Sequence, residues 1–174
     1  TCCYGLYSGV ATLPLTISKG VKVVDCVMSC TEEDEQRIKV LTDMGLISNK
    51  PIDVGGATIS PREFLLRVAP PPDARIRDIA GVVVEVTGEK RGQKVRLTYS
   101  IVHQYHERYG VSALAYLTGV PLSIASQMLA KGEITPKGVL PPETAIPAKP
   151  FFTELAKREI KIHETIETTK IIKN

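Results

Sequence analysis

The chain has 174 residues, 43% of them apolar and 24% charged, a composition ordinary for a globular protein with room for one core. Its net charge is only +3 and its 22 Lys and Arg residues are spread along the sequence, which argues against nucleic acid or a membrane surface as the main partner. No apolar run approaches the roughly 18–20 residues that cross a bilayer.

The N-terminal residues and the cysteines bear on the cellular setting. Residues 1–5 contain no Met and no basic segment before an apolar block, so they do not resemble a signal peptide. We therefore expect the chain to begin inside a longer polypeptide. Four cysteines without a dense framework favour a reducing compartment, and the predicted localisation is cytoplasmic.

Residues 1–20 have no clear period and support no prediction. The Val-rich stretch Val21–Ser29 predicts a strand that is apolar on both sides and therefore central or covered. Thr31, followed by three acidic residues, is typical of a helix N-cap, and Gly45 is expected to end that helix.

Two further elements have strong local signals. Residues 52–59 predict a small hairpin around Gly55 and Gly56, a pair suited to positive φ. Ser60, Pro61 and a Glu three residues after the serine predict a helix start, and the prolines at 70–72 are expected to stop that helix.

Val82–Thr87 and Lys94–Tyr105 are the longest predicted strands, joined by a polar link over residues 88–93. The second strand alternates apolar and polar side chains, so one of its faces is expected to pack on a core while the other meets water. A last strand is predicted where isoleucines alternate with polar residues, over residues 160–166.

Between these strands we predict a helix from Pro121 to Lys131, with proline at its first position and an apolar stripe that includes Ile124 and Met128. An extended proline-stiffened arm over residues 138–143 and a second helix, Pro150–Arg158, should follow. The predicted fold is α+β, with a mostly antiparallel (mixed) sheet and helices packed on one face, in a single domain over residues 1–174.

Cofactor motifs are missing from the sequence. None of the 13 glycines forms a GxGxxG or GxxxxGK[ST] pattern, so we expect this chain to bind no cofactor and any nucleotide site to lie elsewhere. No Ser–His–Asp order, paired carboxylate signature or HExxH motif is present, which leaves the catalytic residues unknown.

The cysteines and histidines offer a weak metal signal. Cys26 and Cys30 lie four positions apart and Cys2 and Cys3 are adjacent, a spacing that does not bring four zinc ligands together. Ordinary thiols are the interpretation that we adopt, with no metal site. A zinc site built from Cys26, Cys30, His103 and His106 is the alternative.

Three polar side chains near the end of the long strand are candidates for a cleft. His103 should share the apolar face of the strand at its edge, although a structural histidine is the interpretation favoured by the residues alone. Ser112 and Thr118 flank the following helix, where capping is the simpler role for a hydroxyl.

A family resemblance adds to these patterns. The segments Ser112–Ala115, Gly119-Val120-Pro121 and Gly138–Glu143 resemble the C-terminal part of the saccharopine dehydrogenase (saccharopine reductase) and lysine 6-dehydrogenase family. The similarity is clear over residues 110–160, moderate over 35–110 and poor over 1–30. One departure is Glu159, which stands where the family usually has glycine.

The resemblance implies an NAD(P)-dependent oxidoreductase that acts at a C–N bond of a lysine-derived amino acid. In such enzymes NAD or NADP binds a Rossmann domain, which this chain lacks, and the C-terminal half binds the small amino-acid substrate and forms a homodimer. The implied cleft residues are Ser112, Thr118 and Gly119, to which we add His103 and Arg108 as substrate-binding candidates. Charge alone makes Arg96, Arg108 and Lys131 candidates for binding the substrate carboxylates, and a solvated surface position is the simpler interpretation for each.

The leading hypothesis is therefore a substrate-binding and dimerisation domain that is inactive alone. Its expected partners are a Rossmann domain, a second copy of the chain and a small amino acid. We expect it to bind neither nucleic acid nor a membrane. The alternative is a stand-alone, non-catalytic oligomerisation or ligand-binding module. In that case the stripe of Ile124 and Met128 would be exposed and would seek a partner.

Overall fold

The structure is a computed structural model, and it describes residues 2–4, 7–17, 19–71 and 76–169. The chain divides into two compact units, Thr1–Pro72 and Asp73–Asn174. Both contain helices and exclusively antiparallel strand pairs among the described residues, which confirms the α+β class. The single domain over residues 1–174 stays a prediction.

The first unit is built from short elements. In chain order they are β1 (Cys2–Tyr4), α1 (Ser8–Thr16), β2 (Val27–Ser29), α2 (Glu32–Asp43), β3 (Ile52–Val54), β4 (Ala57–Ile59) and α3 (Pro61–Val68). β1 pairs with β2, and β3 pairs with β4, each in an antiparallel two-stranded sheet.

Local signals in this unit are confirmed. The Thr31 hydroxyl accepts a hydrogen bond from the Asp34 N–H at 3.1 Å, and Ser60 caps α3 in the same way. The hairpin turns at Gly55 and Gly56, whose φ angles are +62° and +87°, values that suit glycine.

The predicted strand over residues 21–29 is wrong in its first part, because only Val27–Ser29 forms a strand. β1 is three residues long, so the residues before Val27 have no paired strand to bond with. The expectation that the strand is covered on both sides is also wrong, since Val23 is 77% exposed and Met28 is 55% exposed.

The second unit contains the three long strands and the main helices. Its elements are β5 (Ile79–Lys90), β6 (Gln93–Gln104), α4 (Ala113–Ala130), α5 (Pro142–Ala145), α6 (Ala148–Lys157) and β7 (His163–Thr169). The sheet order is β5-β6-β7, antiparallel throughout. Most of the predicted polar link is strand, because the turn needs only Arg91 and Gly92, both at positive φ.

The register of this sheet separates an apolar face from a polar face. Val82 lies opposite Ile101, Val84 opposite Tyr99 and Val86 opposite Leu97. Because directly opposite residues point to the same side of a sheet, these side chains share one surface, which we call the apolar face. Val84 is 50% exposed there, so the helices cover this face only in part.

Helix α4 begins at Ala113, eight residues before the predicted start, and Pro121 lies inside the helix. The Ser112 hydroxyl accepts a hydrogen bond from the Ala115 N–H at 3.1 Å, and the Asp78 carboxylate accepts hydrogen bonds from the N–H groups of Ala113 and Leu114. Since these acceptors satisfy the first turn, the helix starts there and proline is tolerated further along.

No charged residue interrupts the 18 residues of α4, a run that the sequence analysis did not anticipate. By length and composition alone this helix could cross a membrane. The core helix of a globular protein meets the same two criteria, and in α4 the buried residues include Tyr116, Ile124 and Met128. Only 22% of this segment is buried, and one such helix is by itself weak evidence for a membrane.

The core of the second unit lies between α4 and α6. Ile124 and Met128 are 1% and 2% exposed and belong to one cluster with Leu155 and Ile160. The exposed stripe that the alternative hypothesis required is therefore wrong. Helical spacing placed Ile124 and Met128 on one face, and α6 with the residue after it covers that face.

The C-terminal segment follows the predicted order, but the predicted last strand is wrong in its first part, because the strand begins at His163 and not at residue 160. The arm contains a short helix, α5, that begins at Pro142, where proline suits the first helical position. Glu159 has φ +62°, in the left-handed region that favours glycine, the residue that the family resemblance implies at this position. Hydrogen bonds from Lys157 and then Arg158 lower the pKa of Glu154 to about 2.

Candidate functional site

Four aromatic rings pack together where β6 ends and α4 begins. We call His103, His106, Tyr109 and Tyr116 the aromatic cluster. The ring centroids of His106 and Tyr116 are 4.2 Å apart, those of His103 and Tyr116 4.8 Å, and those of His106 and Tyr109 4.7 Å. The cluster brings two imidazoles and two phenols within contact distance of each other.

A tight turn between the strand and the helix positions this cluster. The backbone N–H of His106 donates to the carbonyl of Val111 at 2.9 Å, and Gly110 donates to the carbonyl of His106 at 2.9 Å. Gly110 has φ +61°, which closes the turn at little steric cost. The turn presents Tyr109 beside the first turn of α4.

Tyr116 anchors the cluster to the core. Its side chain is 7% exposed and its hydroxyl donates to the carbonyl of Arg158 at 3.0 Å. Burial raises the pKa of Tyr116, and the neighbouring Tyr109 and Glu159 raise it further. At neutral pH the phenol is therefore protonated and acts as a hydrogen-bond donor.

The two histidines of the cluster differ in their hydrogen bonds. His103 Nδ1 lies 2.6 Å from the carbonyl oxygen of Gln104, which can only accept. In the neutral form of the ring the proton therefore lies on Nδ1 and the lone pair on Nε2. His106 Nδ1 is buried without a hydrogen-bond partner in the described part of the chain. Such an atom costs stability unless a water or a bound ligand supplies its hydrogen-bond partner.

Arg108 is a cation that lies beside this cluster. Its guanidinium carbon lies 5.6 Å from the ring centroid of Tyr109, and no described carboxylate forms an ion pair with it. The other two sequence candidates are placed differently. Arg96 lies 3.7 Å from Glu85 on the polar face of the sheet, and Lys131 follows the last residue of α4.

The three residues implied by the resemblance all lie on α4 or at its start. Ser112 uses its hydroxyl as the helix cap. The Thr118 hydroxyl donates to the carbonyl of Leu114 at 2.8 Å on an exposed turn, and Gly119 is exposed with open space where a Cβ would be. The structure brings His103 and Arg108 to the aromatic cluster and leaves Thr118 and Gly119 on the helix surface.

Sequence reasoning missed Asp78 and the anchoring role of Tyr116. Asp78 precedes β5 and reaches the start of α4, 35 residues away in sequence. Burial of its carboxylate opposes ionisation, but the hydrogen bonds from Leu114 and Ala113 outweigh this and lower the pKa of Asp78. No local pattern predicts either contact, because both depend on the packing of distant segments.

Other parts of the described chain offer little for binding. Shallow depressions of about 370 and 600 Å³ lie beside α3 and beside the β5–β6 turn, and neither is lined by the aromatic cluster. Among the described residues no three His, Cys, Asp or Glu side chains converge as metal ligands. Cys26 and Cys30 are both half-buried.

The starts of α4 and α2 do not suit the pyrophosphate of a nicotinamide dinucleotide. A helix N-terminus is the usual place for a pyrophosphate, but the Asp78 carboxylate already occupies that end of α4. At α2 the first turn carries four acidic residues, which would repel phosphate. These two helix starts therefore offer no phosphate site.

Comparison with known proteins adds a family assignment to this geometry. A family described as the saccharopine dehydrogenase C-terminal domain matches residues 31–160. The chain is also 26% identical over 149 residues to a protein from Schizosaccharomyces pombe (strain 972 / ATCC 24843) named saccharopine dehydrogenase [NADP(+), L-glutamate-forming]. That alignment covers 84% of this chain but 33% of the relative, so the chain spans about a third of the relative's length.

Proposed function

Since the chain belongs to the saccharopine dehydrogenase C-terminal domain family, we propose that it is the substrate-binding part of an NAD(P)-dependent oxidoreductase acting on the C–N bond of a lysine-derived amino acid. The family match over residues 31–160 is the observation that carries this proposal. Alone, the chain should bind the amino acid without turning it over.

Arg108 and the aromatic cluster supply the chemistry that such a substrate needs. A guanidinium binds a carboxylate through paired hydrogen bonds, and Arg108 has no described carboxylate to compete. His103 Nε2 offers a lone pair for a proton from the substrate amine. Tyr116 holds both imidazoles in place through ring contacts.

The cofactor belongs, in this proposal, to a separate Rossmann domain. The S. pombe relative is about three times as long as the matched region, and its name specifies NADP(+). We favour NADP over NAD for that reason. The nicotinamide would supply or accept hydride when bound there, while the residues of this chain bind and orient the substrate.

One face of α4 is the surface that we propose for contact with the Rossmann domain. Leu114 is 64% exposed and Leu122 is 70% exposed, and Thr118 lies between them at helical spacing. Gly119, beside them, would let a partner approach closely. Thr118 and Gly119 would then line the cleft between this chain and the Rossmann domain. Ser112 would position the edge of that cleft, because it caps the helix.

A homodimer and a cytoplasmic location remain parts of the same proposal. No described feature favours the stand-alone module now that Ile124 and Met128 are known to be buried. The homodimer has a candidate surface of its own, argued in the next subsection.

Replacing Arg108 with glutamine tests the binding role directly. We expect Arg108→Gln to weaken the binding of saccharopine, the substrate in the relative's name, by about ten- to a hundredfold, because a charge-assisted hydrogen bond contributes about 1.5–3 kcal/mol. Calorimetric titration of the 174-residue chain gives the affinities.

Lys131→Gln is the matched control, since it removes the same charge at the far end of α4. That variant should bind saccharopine as the wild type does. If both variants bound saccharopine equally weakly, Arg108 would contribute only through the net charge of the chain. If Arg108→Gln bound saccharopine as tightly as the wild type, Arg108 would not be part of the binding site.

A further inference from the structure

The outer edge of β5 is long and pairs with no other strand among the described residues. β5 ends the sheet order β5-β6-β7 and has 12 residues, about twice the usual strand length. Between Ile79 and Thr87 it contains one charged residue, Glu85, and no proline. Natural edge strands are normally short or guarded by charge, proline or a bulge, so an unguarded edge of this length favours pairing with another strand.

The hydrogen bonds of β5 show which residues face outward. The N–H of Tyr105 donates to the carbonyl of Asp78 at 3.0 Å, and this pair continues the register of β5 with β6. In an antiparallel ladder the residues bonded to one neighbour alternate with those facing away. Even-numbered residues of β5 therefore bond to β6, and odd-numbered residues from Ile79 to Glu89 point their backbone groups outward.

Two valines, Val82 and Val86, lie at equal distances on either side of Val84 in β5. If a second copy pairs antiparallel with Val84 opposite its own counterpart, Val82 lies opposite the partner's Val86 and Val83 opposite the partner's Glu85. All pairs then join residues of the same sheet face, and no like charges meet directly. Moving the axis by one residue to Glu85 would place two carboxylates opposite each other.

We propose that a second copy of this chain pairs along β5, with the two-fold axis at Val84, to form one continuous six-stranded sheet. This inference rests on the proposed homodimer and names its surface. The outward groups of residues 79–89 would form about 12 hydrogen bonds between the two copies. Val82, Val84 and Val86 of both copies would join into one apolar patch on the apolar face.

Single cysteines test the predicted axis. At a non-hydrogen-bonded antiparallel pair the Cα atoms lie about 4.5 Å apart, within reach of a disulfide, so Val84→Cys should link the two copies. In the same register two copies of residue 82 are about 13 Å apart, which is too far. Val82→Cys is the matched control, because Val82 and Val84 are 45% and 50% exposed on the same face.

The experiment oxidises each variant mildly and counts linked dimers on a non-reducing gel, with the wild type as the background from the native cysteines. We expect Val84→Cys to link several times more than Val82→Cys or the wild type. If Val84→Cys folds poorly by circular dichroism, the double variant Val82→Cys/Val86→Cys replaces it. In the proposed register the cysteine at position 82 of one copy lies opposite the cysteine at position 86 of the other copy.

Sedimentation of the wild-type chain tests the homodimer separately from the β5 surface. A monomer at high concentration would overturn both the homodimer and the β5 pairing. A dimer in which neither the Val84→Cys nor the double variant links above background would leave the homodimer standing and overturn the β5 surface, as would equal linking by Val84→Cys and Val82→Cys.

Discussion

Ile124→Ala is expected to lower the free energy of unfolding by about 2–4 kcal/mol, since it removes buried methyl groups and leaves a cavity. Ile124 is 1% exposed and contributes to the one cluster that holds α4 against α6. The loss is a large part of the stability of a domain this size. Urea unfolding followed by circular dichroism measures it.

Leu129→Ala is the control for this prediction. Leu129 follows Met128 on the same helix but is 61% exposed, so its truncation should change the free energy of unfolding by less than about 1 kcal/mol. A similar loss in both variants would contradict the burial of the Ile124 side of α4 and would restore the exposed-stripe interpretation.

Tyr116→Ala is the second large effect, with an expected loss of about 3–5 kcal/mol in the free energy of unfolding because an aromatic ring leaves the core. The ring also contacts both imidazoles of the aromatic cluster. Its removal should therefore shift the NMR signals of the His103 and His106 rings and weaken saccharopine binding in a variant that is still folded at low temperature.

Tyr116→Phe separates the ring from the hydroxyl. Phenylalanine keeps the stack and loses only the hydrogen bond to the carbonyl of Arg158, so the expected loss is about 1 kcal/mol. The imidazole signals should then remain close to those of the wild type. If Tyr116→Phe released the imidazoles as fully as Tyr116→Ala, the stack would not be what positions them.

Capping residues and turn glycines were the part of this fold that the sequence predicted well. Thr31, Ser60 and the Gly55-Gly56 pair act within a few residues of their own positions, so neighbouring sequence contains all that determines them. The alternation of β6 was equally readable, because its period of two reflects one buried and one exposed face.

Predictions failed where distant segments decide the outcome. Pro121 looked like the first residue of a helix, but Asp78 and Ser112 stabilise a start eight residues earlier. Val23 belongs to a Val-rich run yet lies outside the strand, because the available partner is only three residues long. Both errors come from reading propensity without tertiary contacts.

The residues of the candidate site also fall into those that the sequence predicted and those that depend on distant contacts. His103 was proposed from its position at the end of a strand and Arg108 from its charge. The structure places His103 in the aromatic cluster and Arg108 beside it. The contribution of Tyr116 depends on a bond to Arg158, 42 residues later, that no motif encodes. Ser112, implied by the family resemblance, instead serves as a helix cap, which was the simpler role for its hydroxyl.

The most direct test is an NMR titration of the isotopically labelled 174-residue chain with saccharopine and, separately, with NADPH. Saccharopine should shift the backbone amide signals between His103 and Ser112 and leave those of the hairpin at residues 52–59 unchanged. NADPH should shift neither set. Saturable shifts with NADPH, or no shift between His103 and Ser112 with saccharopine, would contradict a substrate-binding part whose cofactor binds elsewhere.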